Sequence, residues 1–270
     1  MPSPEPILVA PLFAPLNDEL IVLLRGLSEE DWNARAVGMW TVKDVAAHLL
    51  DTALRRLSTQ RDRYAAPFAA IQDLAAFIND MNGQWVSSAQ RLSTRILVEM
   101  VEKYGREMAD YMMSLDPYAT AEWSVSWAGE AASANWFDTA RELTERWHHQ
   151  QQIRDATGRE ALYDLRYFKP VIDTFLRALP FTYRNAAADE GTRVAIVVRD
   201  VTGHSIVRGD GRWSLDVGTD GADTTVSMSG DTAWRLFTKG LARDEARRRS
   251  EIEGDAALAE PLFSTVAIVA

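Results

Sequence analysis

The chain has 270 residues, no cysteine, and 39 acidic against 29 basic side chains, for a formal net charge of −10. Without cysteine there is no disulfide, iron–sulfur cluster, thiolate zinc site or cysteine nucleophile, and the acidic balance argues against a nucleic-acid partner, which needs a basic face. A chain of this length buries about three quarters of its unfolded surface, so a metal site here would serve function rather than mere folding.

Met1–Pro15 is proline-rich and lacks a basic start followed by an apolar core, so it does not read as a signal peptide. The longest apolar runs, such as Leu262–Ala270, fall far short of the roughly 20 residues of a membrane span. With the absence of cysteine, which a reducing compartment permits, the expectation is a cytoplasmic protein with no membrane partner.

In chain order, Leu12–Leu27 places Leu16, Leu20, Leu23, Leu24 and Leu27 on one helical face. Thr41–Arg63 opens with Thr41 and Asp44 at capping-box spacing, where each side chain satisfies a backbone N–H. Asp73–Leu92 and Ser93–Leu115 are two further amphipathic stretches, broken by Asp116–Pro117. A Trp-rich segment from Trp123 to Trp136 follows, then a long helix over Ser133–Thr157 with Gly158 as its stop. Long helices with short connections predict an up-and-down bundle, an architecture that commonly builds metal sites between facing helices.

Beyond it the pattern changes. Arg166–Leu179 reads as a connecting helix ended by Pro180. Arg193–Arg199, Ser205–Arg208, Arg212–Val217 and Thr224–Ser229 read as short strands of an antiparallel sheet, with Gly and Asp between them. Asp231–Thr238 and Asp255–Ala267 read as helices on that sheet. The expected organisation is therefore α+β and mostly helical: a four-helix bundle over 1–165 and a smaller α+β domain over 166–270, with the boundary inside Gly158–Asn185. The basic cluster of Arg243 and Arg247–Arg249, interleaved with Asp244, Glu245, Glu251 and Glu253, reads as a solvated helix face.

Four histidines exist: His48, His148, His149 and His204. Glu145 and His149 are four apart and share a helix face, and His48 on another helix would complete a three-donor set. Two imidazoles and one carboxylate leave a coordination position open, the pattern of catalytic zinc. Spacing alone is weak evidence, since an intrahelical ion pair has the same signature. It does not separate His149 from His148, which lies three residues from Glu145. His204, between Gly203 and Ser205, reads as a surface turn residue. Trp123, Trp127, Trp136 and Trp147 read as core before pocket lining. Asn82 and Gln84 interrupt an apolar helix and are candidate contacts for a thiol or substrate, although an exposed face explains them as well. There is no phosphate loop, nucleophile elbow or His-Glu-x-x-His pair.

Two runs carry a family resemblance. "LSEEDWNARAVGMWTVKDVAAHLLD", Leu27–Asp51, resembles the opening of the DinB-like, mycothiol-dependent maleylpyruvate isomerase family. "ELTERWHHQQQIRDATG", Glu142–Gly158, resembles that family's second metal-binding segment. The stretches Thr232–Leu241 and Ile252–Phe263 resemble its second domain. The resemblance implies His48, Glu145 and His149 as ligands of a divalent metal, zinc by preference. It also implies mycothiol or a similar small thiol as cosubstrate, activated as a zinc-bound thiolate. The implied activity is cis–trans isomerisation of a maleylpyruvate-like substrate, or S-transfer to an electrophile. An arginine of the second domain is implied for a substrate carboxylate, with Arg235 and Arg243 as candidates. Gln152 stands where the family often has Asp. The rival expectation is a non-catalytic small-ligand binder with a structural metal.

Overall fold

The computed structural model describes residues 4–65, 74–122, 128 and 132–265. Contacts divide the chain into two compact units: one takes Leu8–Glu122 and Thr139–Tyr163, and the other takes Asp164 onward together with the first residues of the long central helix.

The first unit is helical. Helix α1 (Phe13–Arg25) buries Phe13, Leu16, Leu20, Leu23 and Leu24 and ends at Gly26. A short α2 (Glu29–Asn33), capped by Ser28 and Asp31, leads into a two-stranded hairpin of β1 (Arg35–Val37) and β2 (Trp40–Thr41). Gly38 turns that hairpin at φ +53°, a conformation that favours glycine. Neither α2 nor the hairpin is anticipated by sequence periodicity. Helix α3 (Val42–Arg56) starts at the expected capping box and runs into a π-helical turn, Leu57–Arg61, so the expected continuous helix to Arg63 is interrupted. Helices α4 (Leu74–Ala89) and α5 (Thr94–Ser114) follow. Helix α6 (Asn135–Ala156) ends two residues before Gly158, whose φ is +63°.

Helix α5 packs against α1 and α3, α4 lies along α3, and α6 completes the bundle through hydrogen bonds to α1 and α3. Trp85 of α4 donates its Nε1–H to the Ala47 carbonyl at 2.9 Å, and Gln150 of α6 donates to the Leu16 carbonyl of α1 at 2.8 Å. The α1–α5 crossing depends on Gly105, because a Cβ there would stand 2.0 Å from Asn17 Oδ1. The core contains Leu20, Leu24, Val45, Leu49, Leu50, Leu97, Val101 and Ile153, each no more than 2% exposed. Each such side chain contributes roughly 1.5–3 kcal/mol of burial, so the bundle has an apolar core that does not rely on a metal.

The second unit opens with α7 (Leu165–Leu176) and the single turn α8 (Leu179–Thr182). Pro180 does not end α7 as expected; it sits in the first turn of α8, where its missing N–H costs nothing. Strands β3 (Arg193–Val198), β4 (Thr202–Gly209) and β5 (Arg212–Val217) form a meander. Asp210 and Gly211, both at positive φ, make the two-residue β4–β5 turn. The chain then passes back to the far side of β3, so β6 (Thr224–Met228) pairs with it in parallel. The sheet, in order β5-β4-β3-β6-β7, is therefore mixed rather than purely antiparallel. Helices α9 (Gly230–Phe237) and α10 (Arg243–Arg248) precede edge strand β7 (Glu251–Gly254). That strand carries Glu251 and Glu253, which sequence reading places on the Arg-rich helix. A last short helix α11 (Ala256–Ala259) continues as a 3-10 turn, Glu260–Ser264; the end of the expected helix to Ala267 lies outside the described residues. No helix among the described residues is long and apolar enough to cross a membrane.

Candidate metal centre

The capping box fixes the phase of α3. The Asp44 carboxylate accepts from the Thr41 backbone N–H at 2.9 Å, and the same carboxyl group is held by the Gln90 amide. From that start Val45, Ala46, Leu49 and Leu50 face the apolar core, and His48 and Arg56 face α6. On α6, Glu142, Glu145, Arg146, His149 and Gln152 recur at the three- and four-residue spacings of one helix stripe.

The two stripes meet at one carboxylate oxygen. Glu145 Oε1 lies 3.0 Å from His149 Nε2 and 3.4 Å from His48 Nε2. The imidazoles stand almost perpendicular, with centroids 4.8 Å apart. Both histidines are buried, whereas the Glu145 side chain is 31% exposed, so the cluster opens on the carboxylate side. Among the described residues this is the one group of three or more His, Asp or Glu side chains whose ligand atoms all converge, here within 4.8 Å. Donors about 2.0–2.1 Å from a tetrahedral zinc stand roughly 3.3 Å apart, and the two separations at Glu145 Oε1, 3.0 and 3.4 Å, match that spacing.

The electrostatics agree with that use. Burial pushes the His48 imidazole down, against the hydrogen bond to Glu145 that favours its charged form, and so favours the neutral form that has a lone pair to give. Burial works to raise the Glu145 carboxyl, but His149 and His48 outweigh it and hold it well below the usual carboxylate range. His149 is raised: burial opposes its charge, while Glu145 and the Gln152 hydrogen bond favour it. In the absence of an ion, the ionised Glu145 thus favours protonation of His149.

Behind the cluster, Gln152 Oε1 lies 2.8 Å from His149 Nδ1, and Gln152 Nε2 lies 2.9 Å from His148 Nε2. His148 thus turns to Gln152 and not to Glu145. On the other side the Trp40 ring lies 5.2 Å from the His48 ring. One turn along α6, Glu142 accepts from Arg56 at 3.2 Å and pairs with Arg146 at 3.2 Å, all three side chains being at most 13% exposed. Sequence reasoning names neither Trp40 nor this buried triad. Its only local trace is the Glu142–Arg146 spacing, and Arg56 leaves none.

The remaining candidates are scattered. Asn82 accepts from Arg55 at 3.1 Å, and Arg55 pairs with buried Asp51 on α3. Gln84 is exposed and donates to Asp80 at 2.7 Å. In the second unit Arg235 pairs with Asp231 at 2.8 Å and lies over the Trp234 ring. Arg243 and Arg247 share Glu260, and Arg248 and Arg249 share Glu245, as a solvated basic face would. His204 is not a surface turn residue: it lies within β4, opposite Ile196, and its Nε2 reaches Asp173 at 3.0 Å. Trp147 is fully buried, with Nε1–H donating to the Leu162 carbonyl, and Trp136 is stacked by Arg177. Trp123 and Trp127 lie outside the described residues.

A crystal structure of the mycothiol-dependent maleylpyruvate isomerase aligns at a TM-score of 0.52 and 12% identity, covering 87% of this chain and 88% of that one. A histidine-to-alanine mutant of a mycothiol-dependent maleylpyruvate isomerase aligns at 0.49, with the same identity and coverage. At 12% identity the first of these likenesses speaks for the fold alone. No curated protein matches the sequence. The sequence model described as the mycothiol maleylpyruvate isomerase N-terminal domain matches residues 13–154, which span both helices of the cluster and more than half of the chain. The chain belongs to the mycothiol-dependent maleylpyruvate isomerase family.

Proposed function

We propose that this protein is a metal-dependent enzyme that uses a small thiol, mycothiol or a close relative, to isomerise a maleylpyruvate-like cis-alkene, with His48, Glu145 and His149 holding a divalent ion. The observation that carries this reading is the convergence of two imidazole Nε2 atoms and one carboxylate oxygen within 4.8 Å, in a member of this family. Two nitrogens and one oxygen suit zinc and leave a position open for an exchangeable ligand. When bound, the ion supplies the positive charge that ionises a thiol whose ordinary pKa is about 8.5.

The chain's own groups prepare for this. Burial keeps His48 neutral, and the Trp40 ring closes one side of it. Glu145 stays ionised and is the most exposed of the three, so the open side is where a cosubstrate enters. The chain has no cysteine, so the thiol must come from outside. The thiolate adds to an alkene carbon conjugated with a carbonyl, the adduct turns about the carbon–carbon bond that the addition has made single, and elimination returns thiolate and the trans product. Nothing is oxidised or consumed. If the adduct is instead the product, the same activation serves S-transfer. A purely structural metal would call for a closed, four-ligand shell, and the three-donor set with its exposed carboxylate speaks against it.

Arg235 and Arg243 are proposed as partners for a substrate carboxylate. Of the two proposed thiol contacts, Asn82 is favoured over Gln84, because it is joined through Arg55 to the helix that carries His48. The test is metal analysis of the purified protein followed by turnover of maleylpyruvate with mycothiol. About one zinc per chain and mycothiol-dependent formation of the trans product support the reading. A stable adduct in place of the trans product would move it to S-transfer, and absence of metal after reconstitution would overturn it.

A further inference from the structure

We infer that Gln152 is a positioning residue whose side-chain amide locks His149 in the tautomer that presents Nε2 beside Glu145, and that His148 holds this amide in place. The inference rests on the metal reading above and adds to it a role for a residue pair outside the ligand set.

An imidazole can offer Nε2 to an ion only if its proton sits on Nδ1. His149 Nδ1 lies 2.8 Å from Gln152 Oε1, so Nδ1–H donates to the amide oxygen. A carboxamide has two unlike ends. With its oxygen committed to His149, its NH2 faces His148 Nε2 at 2.9 Å. That nitrogen must accept, so the His148 proton sits on Nδ1. Reversing the amide would set NH2 against N–H at His149. The lone pair required beside Glu145 therefore dictates the orientation of Gln152 and, through it, the tautomer of His148. Positions 145, 148, 149 and 152 lie on one stripe of α6, so a single helix supplies ligand, orienting group and tether. His148 is 3% exposed, which shields the tether from competing solvent.

The amide also differs from a carboxylate in what it does to the site. A carboxylate at 152 could accept from His149 but could not donate to His148, and it would add a negative charge. The neutral relay leaves more of a bound ion's charge for an anionic ligand such as a thiolate.

The test is zinc affinity by competition with a chromophoric chelator, together with 15N NMR of the imidazoles. Gln152→Met, which keeps the shape and removes both hydrogen bonds, is expected to weaken zinc binding about 10–100-fold. Gln152→Glu, which restores the acceptor, should recover most of that loss. His148→Ala should weaken binding by less, and should add nothing in the Gln152→Met background. The NMR signature expected in wild type is protonated Nδ1 on both histidines and an unprotonated His148 Nε2. Wild-type affinity in Gln152→Met, or an additive effect of His148→Ala, would overturn the relay. Should wild type bind no zinc, the metal reading fails separately. The His148 tautomer in the metal-free protein then decides the relay, and a proton on Nε2 overturns it. If Gln152→Met does not fold, the His148→Ala and Gln152→Glu affinities and the wild-type spectrum decide.

Discussion

Among the described residues, two carboxylates meet a histidine Nε2 at 3.0 Å: Glu145 in the helical unit and Asp173 in the α+β unit. Asp173 is saturated. Its Oδ1 accepts from the Thr202 hydroxyl at 2.7 Å and from His204, and its Oδ2 accepts from Lys169 at 2.5 Å, so α7 is tied to β4 through one side chain that is 16% exposed. Glu145 is unsaturated. Two imidazoles crowd a single oxygen, and the side chain is 31% exposed. Both carboxyls are held below their usual range against the opposing effect of burial, so a shifted pKa does not tell them apart. The donors do. Around Asp173 the Lys169 ammonium has no lone pair to give and a single imidazole is present, whereas the two imidazoles at Glu145 can turn lone pairs to the same point and become ligands.

The largest expected effect breaks the comparison at the ligands. His48→Ala or His149→Ala should abolish bound zinc and thiol-dependent turnover together, a greater loss than the roughly 10–100-fold that removal of a supporting group costs. His204→Ala should leave metal content unchanged. Metal analysis of the three variants checks this, and loss of zinc in His204→Ala would remove the distinction between the two clusters.

The next effect concerns a third carboxylate, one turn from Glu145 on the same helix. Glu142 lies between the buried guanidiniums of Arg56 and Arg146. Glu142→Ala leaves both without this partner, and breaking a buried pair costs about 3–5 kcal/mol. Glu145→Ala, at a more open position, should cost less stability and all of the metal. Urea denaturation of the two variants beside wild type should give that crossed pattern, and equal losses of stability would show Glu145 to be a structural residue like Glu142.

Much of this arrangement is legible in the sequence, and the limits have physical causes. Helices α1, α3, α5 and α6 follow from apolar spacing and caps, and Thr41–Asp44 gives the start of α3 to the residue. Glu145 and His149 share a helix face by periodicity alone. That His48 meets them is a tertiary fact, and only the family resemblance points to it. Choosing between His148 and His149 requires the helix phase, which the spacing from Glu145 leaves open; in the structure His149 lies against Glu145 and His148 against Gln152. Trp40 belongs to a hairpin with too few residues to show a pattern. Arg56 meets Glu142 across 86 positions, a separation no local signal spans. The parallel β3–β6 pairing and edge strand β7, with Ile252 its single apolar residue, are likewise set by non-local pairing. His204 is misread because Gly203 and Ser205 look like a turn, yet both lie inside β4.

A smaller effect probes the saturated carboxylate through pH. Burial alone would raise Asp173, but the hydrogen bonds from His204, Lys169 and Thr202 outweigh it and lower it. A carboxyl lowered on folding stabilises the fold when charged. That contribution is fully present above the unfolded value of about 3.9 and is lost as pH falls through the lower folded value. Asp173→Asn should therefore cost about 1.5–3 kcal/mol at neutral pH, the range for hydrogen bonds to a charged group. The cost should shrink at the acid end, where the wild type also loses its charge. Thermal melting of both proteins between neutral pH and pH 3 measures it, and a cost that does not change with pH would assign the effect to packing.

The smallest effect on stability is expected at Arg243, and it sharpens the contrast from the other direction. Its guanidinium is about half exposed and reaches Glu260, which Arg247 also holds at 2.6 Å. Surface pairs are worth about 0–1 kcal/mol, and the second arginine keeps Glu260 paired, so Arg243→Ala should melt within a degree or two of wild type. That near-silence makes the variant a clean functional test. If Arg243 receives a substrate carboxylate, KM for maleylpyruvate rises while zinc content and melting temperature stay fixed, and Arg243→Lys recovers part of the loss. If turnover is also unchanged, Arg243 is a solvated surface residue. Arg235, braced by Asp231 and Trp234, is then the arginine to test with the same three readouts.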